Sequence, residues 1–188
     1  MPPALSSPSV NANAVEASVM ALWQEFLAGY FDGQAHDVGA TDGGVFPRVE
    51  LAFQQSTLAQ PLDGAPAPGL AITVVWSETL RKRTSRWENI GGARQELVQE
   101  AVAFNFWVRA TGPNARRDGK TVADRLYGLL NNSYETLALA QKGLRGVDAL
   151  TPRAIQDGDY CLRLVTVTGR LRFPVHSQVA LPGDPDDL

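Results

Sequence analysis

An α+β fold, one mostly antiparallel sheet with helices packed on it, is what three features of this sequence predict. Residues 15–30 carry apolar side chains at helical spacing. Three later stretches, 45–54, 70–78 and 97–110, alternate or run apolar as strands do. A second helical segment at 122–130 then precedes a last strand starting at Tyr160. Strands grouped together, rather than alternating one by one with helices, argue against a parallel α/β sheet. No period of 20 to 50 residues suggests a solenoid.

The chain has 188 residues, 44% of them hydrophobic, which suits one core and one domain. The domain is expected over residues 13–175. Residues 1–12, rich in Pro, Ser, Asn and Ala, read as a flexible arm, and residues 176–188, with Asp184, Asp186 and Asp187 among prolines, as a flexible acidic tail.

In the first helix Val15, Val19, Leu22, Trp23, Phe26, Leu27 and Tyr30 share a face, with Asn13 and Glu16 placed for a capping box. Glycines and aspartates over 32–44 make a loop. Val45, Val49, Leu51 and Phe53 define the first strand. After a proline-rich loop at 60–69, Ile72, Val74 and Trp76 define the second.

The polar, basic segment 79–94 is expected as a long hairpin tip joining this strand to the third, where Val98, Val102, Phe104, Phe106 and Val108 share a face. Gly112-Pro113-Asn114 breaks that strand. Val122, Ala123, Leu126, Tyr127, Leu129 and Leu130 then form the second helix. Ser133 is placed to cap a short helix ending at Gln141, with Leu137 and Ala140 inward and Gly143 closing it. The final strand, 160–173, is apolar on both faces, as a strand inside its sheet would be, and Pro174 is expected to end it.

The chemistry-bearing residues are sparse. A formal charge of -3 gives no overall attraction to nucleic acid or an anionic membrane, and no apolar run approaches the roughly 20 residues of a membrane span. The lone Cys161 excludes an intrachain disulfide, and without a signal-peptide pattern the chain reads as cytosolic.

The segment from Gly112 to Thr121 follows a strand and opens a helix, like a phosphate-binding loop. Its first glycine is misplaced, however, because Asn114 stands where that glycine belongs. The simpler reading is a strand-to-helix turn in which Asp118 or Thr121 serves the helix start. His36 and His176 are the only histidines, and Asp32, Asp37 and Asp42 match no calcium loop. Cys161 sits in a strand pattern where a small buried thiol is ordinary, and Glu96 and Glu100 are expected on one polar strand face. No catalytic, cofactor-binding or metal-binding constellation is expected.

The group Arg81, Lys82, Arg83 and Arg86 with Trp87 is the best candidate site. It could be a loop docking on an acidic neighbour with Trp87 as anchor, a solvated tip, or a phosphate-binding patch. Protein docking suits an acidic chain best.

Four segments together are similar to the tail terminator, or tail completion, proteins of long-tailed bacteriophages. These are Trp23-Gln-Glu-Phe26, the strand from Glu100 to Arg109, the helix from Ala123 to Leu130 and the strand from Asp159 to Thr168. The resemblance spans residues 13–174 and rests on element order and strand style. It implies a small sheet with helices, six copies of which form a ring on the tail-tube protein and receive the head-tail connector or stopper protein. DNA would pass through the lumen as cargo, and no cofactor or catalytic residue would be needed. The location implied is the virion's tail-neck region, after assembly in the host cytoplasm. The long segments 32–44 and 79–94 and both termini depart from smaller members. Another neck component, such as a head completion or stopper protein, is the near alternative, and a nucleotide-binding module built on Gly112 to Thr121 the distant one.

Overall fold

The computed structural model describes residues 12–31, 49–54, 69–90 and 93–179. The arm up to residue 11, the loops at 32–44 and 60–68, residues 45–48 and the tail from 180 lie outside them, as do His36 and the aspartates near it. The elements, in order, are α1 (Ala12–Phe31), β1 (Val49–Gln54), β2 (Leu70–Ile90), β3 (Ala93–Thr111), α2 (Ala115–Leu130), α3 (Leu137–Gln141), β4 (Leu144–Ala149), β5 (Arg153–Gln156) and β6 (Tyr160–Val179). They make the expected α+β fold.

The sheet has the order β1-β2-β3-β6-β4, with β5 also pairing β6. Only β1 and β2 run parallel; every other pair is antiparallel. A parallel pair needs a crossover of a dozen or more residues, and the chain between β1 and β2 has that length.

One face of the sheet carries the core. Antiparallel register sets Phe104 opposite Val167, Phe106 opposite Val165 and Ala110 opposite Cys161, so these side chains share a side. Ile72, Val74 and Trp76 join them from β2, as their alternation predicts. The α1 residues Val19, Trp23, Phe26 and Leu27 and the α2 residues Val122, Ala123, Leu126 and Leu130 close on the same cluster. Trp23 meets Phe104 and Phe106 edge-on at 5.3 and 5.1 Å between centroids, and Trp76 meets Phe104 at 5.1 Å. Such pairs add about 0.5–1.5 kcal/mol each beyond the area they bury. Trp23 is thus the pin between α1 and the sheet.

Several boundaries differ from the sequence expectation. Helix α1 begins at Ala12, so Asn13 lies within it rather than ahead of it as a cap. The expected hairpin tip at 79–94 is strand for most of its length: Lys82 to Ile90 pair residue by residue with Ala101 to Ala93, past an irregularity between Ser77 and Lys82. Polar and charged side chains do not prevent a strand that is paired and solvated on its faces, whereas they erase the apolar alternation by which a strand is read.

Helix α2 starts at Ala115, about two turns before the apolar run that begins at Val122, because its first turns are charged on the outside and bury only Ala115 and Gly119. Asn114 makes no side-chain cap, Asp118 lies in the first turn, and Thr121 Oγ1 donates back to Arg117 O inside the helix. Ser133 lies in turns, and α3 is a single short segment with Leu139 buried and Leu137 half exposed. Gly143 does close it, at φ +99°.

Strands β4 and β5 are additions that periodicity could not show. The register of β4 against β6 shifts between Arg145 and Asp148, which breaks the alternation of so short a strand. Finally, β6 continues through Pro174 to Val179. Pro174 stands opposite Leu97, where the register with β3 shifts, and a bulge is where a strand accommodates a residue without an N–H. With β3 on one side and β4 and β5 on the other, β6 is internal, as its two apolar faces suggested.

Candidate docking surface on the long-strand arm

Strands β2, β3 and β6 outrun the rest of the sheet. The last β1 pair is Gln54 with Val75, and the last β4 pair is Leu144 with Leu171. Beyond these, residues 82–90 pair only with 93–101 of β3, and residues 172–179 only with 93–99, forming a three-stranded arm. At about 3.3 Å per residue the nine-residue β2 segment alone spans roughly 30 Å. Its outer edge, and that of β6 beyond Arg172, face no strand among the described residues.

The arm divides the predicted cluster. Alternation places positions 82 and 86 on one face and positions 83 and 87 on the other, while Arg81 falls in the irregular stretch before Lys82. The cluster is therefore two faces of a strand rather than one basic loop. The side chains of Arg81, Lys82 and Arg83 lie outside the described residues.

On the first face Arg86 pairs with Glu88, which also accepts from Arg172 across the arm. This small network uses up much of the charge of Arg86, whose side chain remains 62% exposed. Exposed pairs of this kind contribute about 0–1 kcal/mol, so they orient rather than stabilise. On the second face Trp87 is 41% exposed, and the Arg94 guanidinium lies 5.7 Å from its ring centroid. Alternation puts Arg94 on that face too, so a half-open indole backed by a cation marks the arm's outer end. A large ring held with few freedoms and partly in water is the usual anchor of a protein contact.

The other sequence candidates resolve differently. From Ala115 the segment 112–121 is helix rather than a phosphate-cradling loop; Lys120 pairs with Asp124, and Gly119 is buried against Cys161. Cys161 is fully buried, and burial above all raises its thiol pKa, against the lowering influence of Arg163. Asp157, 3.9 Å from its sulfur, is held by Arg116 at 3.0 Å and Arg163 at 3.3 Å. A protonated, enclosed thiol is a packing group. Glu96 and Glu100 are not on a polar face: alternation places them with Val98 and Val102, half-buried. No group of three or more His, Cys, Asp or Glu that could hold a metal occurs among the described residues. Among those residues no helix is long and apolar enough to cross a membrane.

Sequence reasoning missed a second basic cluster. Arg145, Arg170 and Arg172, with Gln99, Gly146 and Leu171, line a cavity of about 390 Å³ where β4 meets β6. The alternation of Arg170-Leu171-Arg172 was legible, but Arg145 belongs to a strand that carries no periodic signal.

Neither a protein-family model nor a curated protein sequence matches this chain.

Proposed function

We propose that this protein is a structural assembly subunit, a tail terminator that caps a phage tail tube as a ring and joins it to the head connector. The observation that carries the reading is the three-stranded arm whose outer edges pair with no strand among the described residues. A strand edge offers unpaired N–H and C=O groups, and proteins leave a long one uncovered where a neighbour will cover it. Here a subunit is available to every subunit: a contact between different surfaces of identical chains, repeated by rotation, closes into a ring. The anchor Trp87 on one face of the arm and the charged row Arg86-Glu88-Arg172 on the other would flank such an edge contact with an apolar and a polar surface. The cluster of Arg81, Lys82, Arg83, Arg86 and Trp87 is accordingly the proposed interface. The remaining support is the likeness of α1, β3, α2 and β6 to tail terminators.

The test is mass in solution by light scattering over a concentration series, with the chain alone and mixed with the tail-tube protein of the same genome. A ring, or a monomer that caps short tubes, is the expected result. A monomer indifferent to the tube overturns the reading and favours another neck component.

A further inference from the structure

The cavity at the β4–β6 junction holds a charge arrangement that the fold alone does not explain. Arg145 and Arg170 are direct cross-strand partners, so two guanidinium side chains leave the same face of the sheet side by side. Neither has an ion-pair or hydrogen-bond partner among the described residues, and both are exposed. Arg172 follows on the same side of β6, held on one side by Glu88, and Gln99 stands opposite it in register on β3.

Like charges directly opposite one another destabilise a strand pair. An acidic chain that nevertheless places two arginines together, with no acidic partner for either among the described residues, offers a place to an anion of two charges. A carboxylate cancels only one, whereas a phosphate monoester near neutral pH carries about -1.5 to -2 and three acceptor oxygens. Guanidinium forks match those oxygens in pairs. The space of about 390 Å³ falls within the range of small-molecule sites and exceeds what one phosphate group fills.

We propose that this cavity binds the phosphate group of a small phosphate monoester. Arg145 and Arg170 supply the paired charges, Gln99 a neutral amide donor, and Arg172 a flank already oriented by Glu88. The site lies at the base of the arm, away from Trp87; it shares Arg172 with the charged row of the proposed interface but rests on Arg145 and Arg170, whatever the outcome for the terminator reading.

The test is calorimetry and thermal unfolding of the full chain with inorganic phosphate and with glycerol 3-phosphate, at constant ionic strength in a chloride buffer. Saturable binding of both is expected, roughly fourfold weaker at pH 5.5 than at pH 7.5 for the monoester, because the second phosphate proton returns near pH 6. Arg145→Gln with Arg170→Gln should remove it. In phosphate-free, low-salt buffer Arg170→Gln alone should raise Tm by about 1–3 °C, since it relieves the repulsion, which also shows that the variant folds. Absence of saturation by 10 mM phosphate at about physiological salt, or equal binding by the double variant, overturns the proposal. Tighter binding of an unphosphorylated thymidine oligonucleotide overturns it in favour of a nucleic-acid surface, and equal binding of a glutamate peptide in favour of protein carboxylates.

Discussion

Gly119 of α2 lies against Cys161 of β6 so closely that a β-carbon at position 119 would stand 2.8 Å from the cysteine sulfur and 3.3 Å from its Cβ. The helix therefore approaches the sheet as near as it does because one residue lacks a side chain and its partner is small. Gly119→Ala should gain up to about 1 kcal/mol of helix propensity but lose about 1–3 kcal/mol to overpacking. A net loss in chemical denaturation is expected. Adding Cys161→Ala should recover part of it, and simple additivity in the double variant would refute the contact as the cause.

Gly143 illustrates the backbone counterpart. Its φ of +99° is one that L side chains rarely adopt, and a β-carbon there would meet Arg172 O at 2.8 Å, beside the 2.9 Å bond from Arg172 N–H to Gly143 O. Gly143→Ala is expected to cost about 2–3 kcal/mol, since strain and a backbone collision add. Thermal unfolding would show it, and an unchanged Tm would contradict it.

Tyr30 and Glu135 link α1 to the segment ahead of α3 through a phenol-carboxylate hydrogen bond. That bond, followed by burial, raises the Tyr30 pKa from 10.0. A raised folded-state pKa stabilises below the unfolded value and loses that contribution as pH climbs through the folded value. Tyr30→Phe should therefore cost about 0.5–1.5 kcal/mol at pH 7, with the difference from the parent shrinking above pH 10. A difference independent of pH would mean that the bond is not formed.

The Cys161 thiol should resist modification in the folded chain. Burial raises its pKa from 9.0, so at pH 8 it is enclosed and protonated, and a disulfide reagent should react fully only in denaturant. By the same linkage its contribution to stability is present below about pH 9 and declines above it. Rapid stoichiometric reaction under native conditions would contradict its burial.

Trp87→Ala should separate folding from assembly. The indole is 41% exposed and its contact with Arg94 is of the exposed cation–π kind, so the isolated chain should lose less than about 1 kcal/mol. The association measured by light scattering should weaken at least tenfold, as removal of an interface anchor costs about 2 kcal/mol or more. Unchanged association would remove Trp87 from the interface.

The sequence by itself determined the fold class and the faces that make the core. Helical spacing in α1 and α2 and alternation in β2 and β3 placed Trp23, Ile72, Val74, Trp76, Phe104, Phe106 and Leu126 on the buried side, where they lie. That information survives in one dimension because burial of one face imposes a period on the chain. The proline-bearing length between β1 and β2 was legible too, though not the parallel pairing it permits.

Only the tertiary structure decided what polar segments do. Residues 82–90 become strand because β3 lies beside them, and Pro174 is passed because a bulge removes the demand for its N–H. The arm thereby splits a basic run between two faces. It is also pairing that brings Arg145 to Arg170 across 25 positions of chain, numbers 145 to 170. A side chain's own residue type sets its chemistry, but its neighbours on adjacent strands are chosen by register, which no local pattern encodes when the side chains are charged and the strand is short.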